Sequence, residues 1–208
     1  GKTCQSFRVL LHQLYTSKKM ALKCNKCYFT FGRFQPPTTG HKENFDAVKR
    51  IAGSHEYRIY ISQSVDLKGN NPLLPTRKLY YMNKMFPTHK GHIYSGPRDP
   101  VAVLQDIMMA GFDEAVMLVG SDRVQAMQWI HKYNGNDKDF SFRTLDIISS
   151  GSRDADGDTF KVSGTKMRRA AFAGDYKTFK SGIPSALGDA DCKTLMMEVA
   201  ANLPANYK

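Results

Sequence analysis

Gly32-Arg33-Phe34-Gln35-Pro36-Pro37-Thr38-Thr39-Gly40-His41-Lys42 joins a β-rich run ending in glycine to a helical pattern opening at Gly40. Gly32 would let a ligand approach the backbone, the prolines stiffen the loop, and the Thr38 hydroxyl can bond an oxygen. His41, in a first helical turn, can donate to a phosphate oxygen, and the positive end of the helix dipole favours an anion there. Arg33 and Lys42 are cations beside it. A second stretch, Val162-Ser163-Gly164-Thr165-Lys166-Met167-Arg168, sets two hydroxyls and free backbone amides at the start of a basic helix. Those groups can hold a polyphosphate, with Arg168 reaching back as a cation. As local structure alone, each stretch would be a capped helix start.

The elements that must position these residues follow from the pattern around them. The chain has 208 residues, 41% hydrophobic and 24% charged, enough for one sizeable core and far from a disordered composition. From Tyr28 short β-rich runs alternate with helical patterns: strands near 28–32, 57–62, 92–95, 115–120 and 142–148, helices near 40–52, 76–85, 101–110 and 122–132. That order predicts an α/β fold, Rossmann-like, around a parallel sheet with right-handed crossovers. Beyond the polar loop 151–158, a basic helix over 164–173 and one or two more helices predict a helical C-terminal subdomain closing one sheet edge. In such sheets ligands bind beyond the carboxyl ends of the strands, where both stretches fall.

The net charge of +11 points to an anionic partner without choosing among nucleic acid, phosphates and anionic lipid. Residues 1–19 carry four cations, no acid and a mild amphipathic pattern; they are expected to form a basic extension packing weakly, with Met20 beginning a single domain over 20–208. No run is apolar enough to span a membrane, and four cysteines at irregular spacing predict a reducing, cytoplasmic compartment. Cys24 and Cys27 form a CxxC with no second ligand pair, so no structural metal is expected.

The order and spacing of the two stretches resemble the signature of the nucleotidylyltransferase superfamily. Its Gly-x-Phe and His/Thr-x-Gly-His are met by Gly32-Arg33-Phe34 and Thr38-Thr39-Gly40-His41. Its late Ile-Ser-x-Thr-x-x-Arg is met by the run from Val162 to Arg168. Gly32-Arg33-Phe34-Gln35-Pro36 and Asn71-Pro72-Leu73-Leu74-Pro75-Thr76-Arg77-Lys78 are similar to elements of archaeal-type nicotinamide-nucleotide adenylyltransferases, the second departing from that family's Asn-Pro-Phe-Thr-x-x-Glu-Arg. Val119-Gly120-Ser121-Asp122-Arg123 resembles the nucleotide-side loop, although Ser121 or Asp122 would also serve as a helix cap.

The resemblance implies transfer of the AMP part of ATP, with Mg²⁺, to a phosphate-bearing acceptor, nicotinamide mononucleotide giving NAD and pyrophosphate. It implies that His41, Thr38 and Arg168 act on the reacting phosphates, and that Ser163 and Thr165 hold the outer ones. Gly32, Arg33, Phe34, Gly40, Lys42, Gly120 and Asp122 would bind nucleotide, and Asn71 and Arg77 the acceptor. The family's stacking aromatic, usually Trp on the helix before the fourth strand, is absent: that helix reads Val101-Ala102-Val103-Leu104-Gln105, and the single Trp, Trp129, lies elsewhere.

Other patterns are weaker. His89-Lys90-Gly91-His92 also spells His-x-Gly-His, but no Gly-x-Phe strand precedes it and a strand, not a helix, follows. Asp154-Ala155-Asp156-Gly157-Asp158 starts like a calcium loop and then departs from it. Gly1-Lys2-Thr3 lacks the strand and first glycine of a phosphate loop. A cytidylyl- or other adenylyltransferase, a class I aminoacyl-tRNA-synthetase-like protein and a non-catalytic nucleotide-binding protein are the competing readings. Oligomerisation stays open, and nucleic acid is a less favoured partner.

Overall fold

The computed structural model describes residues 25–66, 68–136, 138–151 and 162–208. The expectations for residues 1–19, Met20, Cys24 and the 154–158 acids lie outside them. Five strands form one sheet: β1 Lys26–Gly32, β2 Glu56–Ile61, β3 Ile93–Ser95, β4 Glu114–Val119 and β5 Thr144–Ser149. Their order is β3-β2-β1-β4-β5 and every pairing is parallel. From β1 the chain builds outward through β2 to β3, then returns to lay β4 on the other side of β1. Between β1 and β4, therefore, the loops leaving the strands diverge and open a crevice.

Parallel strands need crossovers, supplied by α1 Thr39–Ala52, α2 Pro75–Met85 and α3 Pro100–Met109. Their starts are locally encoded. Pro75 and Pro100 sit in first turns, where a missing N–H costs nothing, and the Asp99 side chain accepts from Ala102 N at 2.9 Å. Alternation along the strands divides the core into two layers. On one face Ile59, Ile61, Val116 and Leu118 pack with Phe45 and Val48 of α1 and Tyr81 and Met82 of α2. On the other Tyr60, Ala115 and Met117 pack with Val103, Leu104 and Ile107 of α3.

The C-terminal helices α4 Gly164–Phe172, α5 Tyr176–Ser181 and α6 Asp189–Ala201 complete the first layer rather than closing a sheet edge. Met167, Phe179 and Leu195 share one buried cluster with the residues of β2 and β4, because their apolar stripes match the uncovered face. The segment expected as a helix over 122–132 is instead two 3₁₀ pieces, Ser121–Arg123 and Gln125–Tyr133. A period of three residues per turn there puts Met127, Ile130 and Tyr133 together against the core. No helix among the described residues is long and apolar enough to cross a membrane.

The His-x-Gly-His of residues 89–92 sits at the amino-terminal end of the sheet. His89 is fully buried, its ring bonded to the Tyr57 hydroxyl at 3.0 Å and to Asp46 at 2.8 Å, and His92 stacks on Tyr57 at 3.9 Å. This pair therefore packs the fold, and Tyr57, at the start of β2, marks the end of the strands away from the crevice. Burial holds the His89 imidazole below its usual range despite Asp46. Just below pH 6.5 the unfolded chain then binds more protons than the folded one, so stability is expected to fall as pH drops through that range. Thermal melts from about pH 7 to pH 5 check this, and His89→Ala is expected to cost about 2–4 kcal/mol at neutral pH and to flatten the dependence.

Candidate functional site

A cavity of about 1070 Å³ opens at the carboxyl ends of β1 and β4. Its volume suits nucleotide-sized ligands. The loop after β1 contributes Gly32, Arg33, Phe34 and Thr38, the start of α1 contributes Gly40 and His41, the loop after β4 Gly120 and Asp122, and the start of α4 Ser163, Thr165 and Arg168.

The first loop is built around Phe34, whose φ of 50° puts a bulky residue in the left-handed region. Its ring turns back over Gly32, where a Cβ would lie 2.7 Å from the ring. The absence of a side chain at Gly32 thus makes room for the chain's own Phe34, while Gly32 also lines the cavity. Buried Gln35 continues the anchoring with an amide-to-backbone pair, accepting from Leu73 N at 2.8 Å and donating to Leu73 O at 3.0 Å.

Thr38 is buried and precedes α1, and its backbone N–H donates to His41 Nδ1 at 2.9 Å. Because Nδ1 accepts, the neutral ring carries its proton on Nε2, the tautomer that can donate to a phosphate oxygen. The ring is held edge-on to Phe34 at 4.9 Å and nearly parallel to Phe45 at 6.4 Å.

The second motif meets the first directly. Arg168, only 6% exposed, donates through Nη1 to the Gln35 carbonyl at 2.9 Å, through Nη2 to Thr165 Oγ1 at 3.2 Å and through Nε to the Tyr207 hydroxyl at 3.1 Å. A Cβ at Gly164 would lie 3.1 Å from Nη1 and 3.4 Å from the Gln35 carbonyl oxygen, so a side chain there would press on this contact. Ser163 Oγ accepts from Lys166 N at 3.2 Å and caps α4. The guanidinium thus fastens the two loops besides adding positive charge.

Three predicted residues lie away from the cavity lining. Lys42 pairs with Asp46 at 2.7 Å one turn along α1. Arg77 pairs with Glu198 of α6 at 2.6 Å, bonds the Tyr81 hydroxyl at 3.1 Å and stacks on Tyr80, so it ties α2 to α6. Asn71 is buried and donates to Asp66 within its own loop. Neither Ser121 nor Asp122 caps a helix through its side chain.

Other lining residues were not expected. Glu43, Asn44, Ala47 and Arg50 continue the face of α1 that starts at His41, at helical spacing. Arg123, Ala126 and Trp129 recur every third residue along the 3₁₀ segment after β4. That period brings Trp129, 42% exposed, to the cavity from the far side of β4. An aromatic wall is therefore present, reached from a different element than the resemblance implied.

No family model matches the sequence, and no curated protein matches it. Among solved structures, a candidate nicotinate-nucleotide adenylyltransferase of Vibrio parahaemolyticus is 11% identical, with a TM-score of 0.51 over 83% of this chain and 99% of its own. A Plasmodium falciparum nicotinic acid mononucleotide adenylyltransferase complexed with APC is 13% identical, with a TM-score of 0.53 over 88% and 98%. The fold is that of these adenylyltransferase structures. At such identities the likeness is one of architecture, and the chemistry must be argued from this chain's own residues.

Trp129 is the sole tryptophan and faces the cavity. Titrating the protein with MgATP or a pyridine mononucleotide is expected to change its emission saturably; a flat titration with both would mean that neither reaches this wall.

Proposed function

We propose that this protein is a nucleotidyltransferase that joins the AMP part of ATP to a phosphate-bearing acceptor. The observation that carries the proposal is the meeting of residues 38–41 with residues 163–168 at one cavity, through the bond from Arg168 to the Gln35 carbonyl. In the reaction an acceptor phosphate oxygen attacks the α-phosphorus in line. The new P–O bond forms as the bond to the β-phosphate oxygen breaks, and pyrophosphate leaves with that electron pair. No covalent enzyme intermediate is needed, so the protein's work is positioning and charge stabilisation.

His41 donates from Nε2 to a phosphate oxygen as charge develops, and the amides at the starts of α1 and α4 face the anion. Thr38 fixes the His41 tautomer. Arg168, Ser163 and Thr165 shape the α4 end of the site toward the outer phosphates, and Arg33 adds a cation at the rim. Gly120 and Asp122 border the base and ribose. Mg²⁺ enters as part of the MgATP substrate: among the described residues no group of three His, Cys, Asp or Glu side chains could hold it alone, while the phosphates themselves supply oxygen ligands.

The acceptor is a pyridine mononucleotide, with Trp129 offering a face on which its ring can stack. Nicotinamide mononucleotide is the acceptor proposed from the sequence resemblance. Nicotinate mononucleotide is the second reading, favoured by the cations Arg33, Arg50 and Arg123 along the cavity and by the names of the two similar structures. A reducing, cytoplasmic setting fits the buried free thiols of Cys27 and Cys192, two of the chain's four cysteines.

Purified protein given MgATP and each mononucleotide is expected to release pyrophosphate and form the matching dinucleotide. Pyrophosphate release with some other phosphorylated acceptor, but not with these two, would remove the acceptor and keep the reaction. Binding of MgATP without turnover on any acceptor would favour the non-catalytic reading. His41→Ala is expected to lower kcat by about 10²-fold or more, the usual loss on removing one donor to a developing charge.

A further inference from the structure

Lys78 of α2 is fully buried, yet all three of its bonds go to neutral oxygens. Its Nζ donates to the Arg33 carbonyl at 2.8 Å, the Ser62 carbonyl at 2.7 Å and Ser62 Oγ at 3.3 Å. Those acceptors lie just past the carboxyl ends of β1 and β2, where Ser62 N also donates to the Gly32 carbonyl at 2.9 Å. An ammonium in such a place is costly to bury, and a surface lysine would serve α2 as well if packing were its only task. Its position gives the reason for its presence. Phe34, with its left-handed backbone, lies between the Arg33 carbonyl held by Lys78 and the Gln35 carbonyl held by Arg168. The Phe34 ring in turn carries the His41 ring.

We propose that Lys78 is a positioning residue for this site: by holding the Arg33 and Ser62 carbonyls, its ammonium keeps the Phe34 turn in place and His41 aimed at the cavity. Lys78 is not among the residues lining the cavity and touches no substrate. The proposal rests on the nucleotidyl-transfer reading only for its activity readout.

Burial, reinforced by the Arg33 guanidinium, brings the Lys78 pKa down to about 8. Of the charged groups around it, Arg33 on the loop after β1 acts on it directly; the end of β2 contributes Ser62, which does not titrate, and Arg77 on its own helix is tied to Glu198. The clamp is therefore charged at neutral pH and discharges on mild alkalinisation. Stability moves the other way. The folded pKa lies below the ordinary 10.5, so between about 8 and 10.5 the unfolded chain binds more protons, and the Lys78 contribution favours the fold as pH rises. Turnover that falls while this contribution improves stability separates positioning from a merely structural role.

The test follows the amide resonances of Arg33, Phe34 and His41 in the free protein from about pH 6.5 to 9.5, beside kcat and KM for pyrophosphate release over the same range. In the wild type the resonances are expected to inflect together near pH 8 and kcat to fall about tenfold across the alkaline limb, with a smaller change in KM. In Lys78→Arg, which stays charged, both the inflection and the limb are expected to vanish. Wild-type loop resonances with no inflection in this range would overturn the proposal, whether or not the variant folds. So would an unchanged limb in Lys78→Arg. Resonances that titrate as expected in a protein that turns over no acceptor would instead sink the reaction class and leave the positioning role standing.

Discussion

A guanidinium on α4 donating to a backbone carbonyl 133 positions earlier holds together everything the site requires. The Arg168–Gln35 bond joins the loop after β1 to the start of α4, so the dipoles of α1 and α4 converge on one volume instead of facing separate solvent. Gln35 is itself fixed by the backbone of Leu73, and Arg168 by Tyr207, so the contact draws in the loop before α2 and the last turn of the chain. A bond to a charged donor in a buried place is worth more than a surface pair and is costly to leave half-made. It locks the loops in register while leaving both helix starts open to the cavity.

The strand order explains why that volume exists. Because β1 is flanked by β2 on one side and by β4 on the other, chain segments leave the two central strands in opposite directions and leave a crevice between them. Helices on both faces seal the sheet, which is why its central strands are buried on both sides and their side chains alternate between two apolar layers. With the fold shared, the chemistry rests on the side chains of the crevice walls. Here they combine four arginines, a tryptophan and two single carboxylates, Glu43 and Asp122.

The Thr-x-Gly-His of residues 38–41 and the His-x-Gly-His of residues 89–92 show that spelling does not make a site. His41 follows a strand and lies in the first turn of α1, where Thr38 N orients its ring. His89 ends a short 3₁₀ turn after α2, and Tyr57 and Asp46 take up both of its ring nitrogens inside the core. The difference was legible from the elements on either side, since a strand before and a helix after place a residue at the carboxyl edge of a parallel sheet. What the pattern could not convey was that His89 is a buried structural group whose loss would damage the fold.

Local chemistry determined much of the rest. Alternating β-rich and helical runs gave the parallel α/β architecture, prolines and polar caps placed the helix starts, and strand-then-helix order put both motif stretches at one end of the sheet. Only the tertiary structure decided which cations face the cavity. Lys42 and Arg77 are cations like Arg33 and Arg168, but each found a carboxylate: Asp46 one turn along the same helix, and Glu198 of α6, which only helix packing brings to Arg77. It also decided the period of the segment after β4: three residues per turn, set by packing Met127 and Ile130 on the sheet, aligns Trp129 with Arg123, where an α-helix would have turned it away. A residue's type is written in the chain, but its partner is chosen by which surfaces come together when the core closes.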